Sequence, residues 1–364
     1  MYEKELRALQ RSGRLRSRKV VDENLKDFAS NDYLGLAHNT TLHQLTCQSL
    51  TKHKAQAPKA SMLVNGYHQI HKDFETALCE ANGFEDALVV GSGFGANIAM
   101  IEALTRKGDT LFLDELYHAS GVLASEIGEK NVVFFPHNNM EVLRELLQKS
   151  KAKRNIVAVE GIYSMDGDMC DKEVFSLADE FENMLLIVDE AHSSGVVGEH
   201  LMGVFDFYNI TPQKNHIKMG TLGKAYGSFG AYILASGHIV EYLLNRAKPI
   251  IYATALSLYD TQRGLEALRY IQTNTQSLRE AIAQRQQLLY DMLGLRVAGL
   301  IAPLVVGDNK KVMQIQHTLL TQGYSVGAIR QPTVPHAIIR LIARLGEEQH
   351  HLQRVCQLLN EQRW

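Results

Sequence analysis

The stretch Leu185-Leu186-Ile187-Val188-Asp189-Glu190-Ala191-His192 decides the fold class. Four consecutive apolar residues closed by a carboxylate are too short for a helix. A strand with one wet face would alternate polar and apolar residues, so this run reads as a strand covered on both sides. Working outward, similar runs occur at 87–90, 110–113, 132–135, 156–159 and 229–234, with helical patterns at 97–104, Met140–Lys149 and 172–182 between them. Buried strands alternating with helices predict an α/β domain built on a mainly parallel sheet. Past residue 250 the texture changes. A long helical pattern covers 256–293, strands are predicted at 302–306 and 337–342, a helix near 311–322, and a closing helix over 347–362. The expected organisation is an N-terminal segment (1–40), a large α/β domain (41–248) and a smaller α+β C-terminal domain (249–364).

The chain has 364 residues, 45% of them hydrophobic and 21% charged, with a formal net charge of -2. That length supports a large buried core, and the charge balance gives no bulk attraction to nucleic acid. Arg11, Arg14, Arg16, Arg18 and Lys19 form a local basic run, which on charge pattern alone is a solvated segment. The four cysteines, Cys47, Cys79, Cys170 and Cys356, make no C-x-x-C pair and read as reduced thiols. The charged first residues do not resemble a signal peptide, and no apolar run approaches the roughly 18 residues of a membrane span. A cytoplasmic protein is expected.

Four local patterns carry candidate chemistry. Gly91-Ser92-Gly93-Phe94-Gly95-Ala96-Asn97 follows a strand and opens a helix, where small residues let backbone N–H groups approach an anion. It is also what an ordinary strand-to-helix turn looks like, and it matches neither a Walker loop nor the full dinucleotide fingerprint. Asp189 closes its strand, at the edge where ligands bind in open α/β sheets. A carboxylate there needs a cationic partner, such as a protonated pyridine nitrogen. A metal shared with His192 is the rival reading, but a third ligand at suitable spacing is not evident. Thr221-Leu222-Gly223-Lys224-Ala225-Tyr226-Gly227 carries a lysine that is either solvated or, if buried, a neutral amine able to form a Schiff base. Asp114-Glu115-Leu116-Tyr117-His118 places His118 just past a strand, as a surface histidine or as an acid–base group stacked on a ring. Together these are a phosphate cup, a ring stacker, a counter-ion and an amine.

In that combination the sequence resembles the α-oxoamine synthases, pyridoxal-phosphate enzymes of the aspartate aminotransferase fold type I. The likeness runs through Phe28-Ala29-Ser30-Asn31-Asp32-Tyr33-Leu34-Gly35-Leu36, Asn65-Gly66-Tyr67, His71, Ser92-Gly93-Phe94 and His118-Ala119-Ser120. It continues in Glu160-Gly161-Ile162-Tyr163-Ser164-Met165-Asp166-Gly167-Asp168, the Asp189 and Lys224 motifs, and Ala328-Ile329-Arg330-Gln331-Pro332-Thr333-Val334-Pro335. The resemblance implies pyridoxal 5'-phosphate attached to Lys224, with Asp189 on the ring nitrogen, His192 and Ser164 near the ring hydroxyl, and His118 stacked on the ring. It implies that the Gly93 and Phe94 amides hold the phosphate with Thr221, and that Thr254 reaches the phosphate of a partner subunit in a homodimer. Arg340 would grip an amino-acid carboxylate, and Arg16 and Thr333 would contact substrate. The substrates implied are L-alanine and pimeloyl-CoA or pimeloyl-acyl carrier protein. Glycine-using relatives, an aminotransferase and a non-catalytic scaffold subunit remain as rivals. Three departures concern the acyl donor: Met62 stands where many relatives carry Arg, His200-Leu201-Met202-Gly203 replaces His-Gly-Arg-Gly, and Ile342 stands where a second Arg often follows the first.

Overall fold

Eleven strands fall into two sheets in the computed structural model, which describes residues 1–12, 14–16, 18 and 20–362. Lys19 of the basic run lies outside the described residues. In chain order the strands are β1 (Lys26–Phe28), β2 (Asp86–Val90), β3 (Thr110–Asp114), β4 (Asn131–Phe135), β5 (Asn155–Glu160) and β6 (Met184–Asp189). There follow β7 (His216–Thr221), β8 (Ala231–Ala235), β9 (Ile301–Gly307), β10 (Tyr324–Ile329) and β11 (Ala337–Ile342). The large sheet has the order β2-β8-β7-β6-β5-β3-β4. All its pairings are parallel except the two made by β8, which runs against β2 and β7. The smaller sheet has the order β1-β10-β11-β9.

The continuous apolar runs are explained by burial on both faces. Leu186 and Val188 of β6, with Val157 and Val159 of β5, pack into one cluster with Leu143, Leu147 and Leu177 from helices Met140–Lys149 and Glu173–Glu180. Ile187, Ile156 and Ala158 point the other way, into a cluster with Met100, Ala124 and Leu243 from helices Gly93–Leu104, Ala119–Ser125 and Gly237–Arg246. Each such Val, Leu or Ile contributes roughly 1.5–3 kcal/mol by leaving water, so β5 and β6 are a rigid base for whatever stands at their ends.

Several sequence expectations need correction. The run at 229–234 is shifted: β8 is Ala231–Ala235, while Phe229 is 60% exposed and Gly230 takes a φ of 115° that breaks the strand. The helix expected over 256–293 is two, Leu258–Thr273 and Thr275–Leu293, interrupted at Asn274. β7 was absent from the sequence reading because Lys218 sits in its centre and hides the apolar pattern. β1 and β10 also escaped it, being short or half-buried. β1 adds residues from before position 41 to the smaller sheet, pairing parallel with β10.

Candidate active site

The parallel strands bring their C-terminal ends to one edge, and the functional motifs stand there. β3 ends at Asp114, leading to His118; β5 ends at Glu160, leading to Ser164; β6 ends at Asp189; β7 ends at Thr221, leading to Lys224. Open α/β sheets bind ligands along this edge. Four motifs spread over more than a hundred residues of sequence thus become neighbours through strand order alone.

Asp189 is 5% exposed and both its oxygens accept hydrogen bonds. Oδ2 accepts from Asn97 Nδ2 at 2.7 Å and Oδ1 from the Ala191 amide at 3.0 Å. Asn97 is itself fully buried and saturated: it also donates to Ser120 Oγ at 3.0 Å, while its Oδ1 accepts from the Tyr117 hydroxyl at 2.8 Å. Ser120 Oγ in turn lies 2.7 Å from His118 Nδ1. The chain of contacts therefore runs from His118 through Ser120 and Asn97 to Asp189. Burial lowers the pKa of His118, Asp189 pulls it back up, and Lys224 pushes it down again, so the ring is neutral at neutral pH.

Lys224 Nζ lies 2.8 Å from His192 Nε2, and His192 Nδ1 lies 2.5 Å from the Tyr33 hydroxyl. Burial drives the Lys224 amine down to about 8, against the attraction of Asp189 and Glu160 and with help from the Arg340 guanidinium. His192 is held well below the ordinary histidine range by burial and by the positive charges of Lys224 and Arg340. A neutral imidazole between a phenol and an amine accepts on one nitrogen and donates from the other, which fixes the amine's position without charging it.

Arg340, on β11, crosses from the smaller sheet to this edge. Its Nε donates to the Ser164 carbonyl at 2.7 Å and its Nη1 to Asn31 Oδ1 at 2.9 Å. Ser164 is 9% exposed, and its amide donates to Glu160 Oε2 at 3.1 Å. At the other end of the group, Ser92 caps helix Gly93–Leu104: its hydroxyl accepts from the Gly95 amide at 3.0 Å and its carbonyl from the Ala96 amide at 2.9 Å. Of the first four amides, those of Gly93 and Phe94 are left for another acceptor. A Cβ on Gly93 would lie 3.7 Å from Thr221 Cβ, so that turn and the end of β7 face each other as a small cradle. The Thr221 hydroxyl donates to the Gly230 carbonyl at 3.0 Å.

The donor set fits a phosphorylated pyridine aldehyde. Two spare amides at a helix N-terminus suit a phosphate, a buried carboxylate with fixed orientation suits a ring nitrogen, and an amine of depressed basicity suits a carbonyl. The described residues contain no group of three or more His, Cys, Asp or Glu arranged to hold a metal.

The family model for aminotransferase class I and II matches residues 23–358. The chain belongs to this family. Within it, the chain falls in the α-oxoamine synthase branch. It is 42% identical, over 94% of its length and 92% of the relative's, to the 8-amino-7-oxononanoate synthase of Helicobacter pylori. Among solved structures it superposes on a serine palmitoyltransferase from S. paucimobilis, solved with bound PLP and myriocin, with a TM-score of 0.88, 22% identity and coverage of 99% and 97% of the two chains. It also superposes on the 8-amino-7-oxononanoate synthase of Francisella tularensis, with a TM-score of 0.77, 24% identity and coverage of 93% and 98%.

The remaining sequence candidates of this family member lie outside the hydrogen-bonded group around Lys224. Arg16 and Thr333 come together, with Leu9, Arg14 and the 328–332 segment, around a cavity of about 460 Å³. The basic run is thus partly a cavity wall and not solely a solvated segment. Thr254 lies on an exposed stretch beside Tyr252, which is 80% exposed, and shares a recess with Met62, Val90 and Gly91. No described hydrogen bond joins Thr254 to the groups around Lys224. Ile342 is fully buried in β11, and the nearest arginine to follow Arg340 is Arg344, which pairs with Asp27 at 2.6 Å and Asp32 at 2.5 Å. Sequence reasoning assigned no role to Asn97, Tyr33, Asn31 or Glu160, although all four stand inside motifs it quoted. Their functions come from contacts across the fold, for which the sequence carries no local signal.

Proposed function

We propose that the protein holds pyridoxal phosphate on Lys224 and catalyses decarboxylative condensation of L-alanine with a pimeloyl thioester, giving 8-amino-7-oxononanoate, the biotin-pathway intermediate. The observation that carries this reading is the Lys224 amine, lowered to about 8 and held 2.8 Å from a neutral His192 beside a doubly hydrogen-bonded Asp189. The 42% identity with a synthase of that name supports the choice of substrates.

When bound, pyridoxal phosphate supplies an electrophilic carbonyl and an electron sink for a carbanion. The Gly93 and Phe94 amides and Thr221 would hold its phosphate, His118 and His192 would flank it with Ser164, and Asp189 would face its ring nitrogen. Asn97 keeps the Asp189 carboxylate pointed. Lys224 Nζ, whose basicity burial lowers so that its free-base form is accessible just above neutral pH, takes the proton from the amino acid's Cα and returns one to the product. Arg340 orients the amino-acid carboxylate; its planar fork permits a two-pronged contact that a lysine cannot reproduce. Arg16 and Thr333, on the rim cavity, meet the acyl donor, whether CoA or acyl carrier protein.

A homodimer completes the site in this reading. Val64 is 77% exposed and Phe94 49%, with Phe229 and Tyr252 also bare, an apolar set that a second chain would cover. Thr254 would then reach across to the partner's phosphate. No helix among the described residues is long and apolar enough to cross a membrane, in keeping with action in the cytoplasm.

The test is thiol release from pimeloyl-, acetyl- and succinyl-thioesters with alanine, glycine or serine. Release should be fastest with the alanine and pimeloyl pair. Faster release with glycine and acetyl-CoA would replace the substrate assignment, and a purified protein without visible absorbance would remove the cofactor.

A further inference from the structure

The buried carboxyl of Glu160 has no part in the scheme above, and its surroundings are unlike those of Asp189. The two residues are register partners at the ends of adjacent parallel strands, β5 and β6. Asp189 has a donor on each oxygen. Glu160 is 1% exposed; one oxygen accepts from the Ser164 amide at 3.1 Å, and Oε1 is buried with no partner among the described residues. A carboxylate oxygen left bare in the interior costs several kcal/mol, and two carboxylates side by side in low dielectric do not both ionise. The donors decide which one keeps the charge.

We propose that Asp189 and Glu160 form a divided carboxyl pair in which Asp189 carries the negative charge and Glu160 is a neutral acid with its proton on Oε1, making Glu160 a positioning residue for the charge state of Lys224. The groups facing it agree. Burial disfavours the anion most, Asp189 and Asp114 add to it, and Lys224 and the Ser164 amide oppose them without prevailing. The consequence is electrostatic. An ionised Glu160 would stabilise the ammonium form of Lys224, as Asp189 already does. A neutral Glu160 adds nothing to the ammonium form of Lys224, so its amine gives up the proton more readily while Asp189 alone supplies the anion. Two carboxyl groups with environments that separate their protonation states are a common way to divide roles in an active site.

This inference rests on the proposed cofactor reading, so loading is checked first by visible absorbance of the parent holoenzyme; failure there sinks that reading and not the division of charge. Infrared spectra of the holoenzyme at neutral pH should then show the carbonyl stretch of a protonated carboxylic acid. That band should vanish in Glu160→Gln, while Glu75→Gln, which removes the other strongly perturbed buried carboxyl, should leave it. Absence of any Glu160 band in the parent overturns the proposal whether or not the variant folds. In Glu160→Gln, the acid limb of the kcat/KM profile should stay in place, because a neutral amide replaces a neutral acid. A downward move of that limb by about one pH unit is what loss of an anion beside Lys224 would give, and it would show Glu160 to be ionised.

Discussion

Lys218, in the middle of β7, and Lys224, just past its end, are both lysines taken out of bulk water and lowered in basicity by burial, but they are given different partners. Lys218 has 0% of its side chain exposed, yet its ammonium is satisfied: it donates to Asn82 Oδ1 at 2.8 Å and to the Met202 carbonyl, and lies 3.6 Å from Glu190 Oε1. Glu190 is equally buried and accepts from Ser193 Oγ at 2.5 Å and the Val204 amide at 2.7 Å. Among the described residues Lys224 has a single close polar neighbour, the neutral His192, and it meets the positive charge of Arg340 as well as the attraction of Asp189. The first lysine is a cation locked into a network that ties β6, β7 and the loop before Val204. The second is an amine kept short of partners, and that shortage is what makes it reactive.

The comparison breaks most sharply under Lys224→Ala. Turnover should fall by at least about 10³-fold, the scale expected when nucleophile and base are lost together, and the visible band of lysine-bound cofactor should disappear. The melting temperature should hardly change, because nothing in the network of Lys218 is touched. Retained turnover would mean that Lys224 is a bystander. The complementary change, Lys218→Ala, should do the reverse. It strands Glu190 as an uncompensated buried charge, a loss of about 3–5 kcal/mol, read by urea denaturation. A Lys218→Met, Glu190→Leu double variant should recover much of that loss, since an apolar pair of similar volume is often neutral or better. If Lys218→Ala unfolds no more readily than the parent, the network is decorative.

A subtler break lies in how Asp189 is held. Asn97→Ala removes the donor to Oδ2 and also unties Ser120 and Tyr117. Loss of such a supporting contact typically costs 10–100-fold, so kcat should fall by about that factor, with the KM for the amino acid much less affected. A change confined to KM would place Asn97 in substrate binding instead.

The difference between the two lysines also marks what the sequence could convey. The apolar run of β6 and the motifs at Asp189, His118 and Lys224 were readable because their signal is local: a strand pattern, a turn, a residue just beyond. β7 was not readable, because a lysine in a strand argues against burial unless its acceptors are known, and Asn82 and Glu190 are far away in the chain. The break at Asn274 was missed for a similar reason, as the apolar pattern continues through both helices. In the site, Lys224 and Asp189 announced themselves by motif, whereas Asn97 and Tyr33 matter through contacts spanning 92 and 159 positions. Residues that react tend to leave local marks; residues that hold them in place do so through tertiary contacts.

His137 extends the comparison to a third kind of base, half-buried, that keeps its charge. Its Nδ1 lies 3.0 Å from Asp114 Oδ1 and its Nε2 2.8 Å from Asp168 Oδ2, with the ring edge-on to Tyr163 at 4.3 Å. Burial works against protonation, but hydrogen bonds to both carboxylates outweigh it and lift the pKa to about 10. The imidazolium therefore clasps the loop carrying His118 to the loop carrying Ser164. Because the folded pKa exceeds the unfolded value of about 6.5, its contribution is complete below pH 6.5 and drains away as pH climbs to 10. His137→Gln should cost about 1–2 kcal/mol near pH 6, the worth of charge-assisted hydrogen bonds in a half-buried setting, and the gap from the parent should close by pH 10. Denaturation curves at both ends of that range decide it: a gap that stays constant with pH would mean that His137 packs as a neutral ring and that the clasp is not ionic.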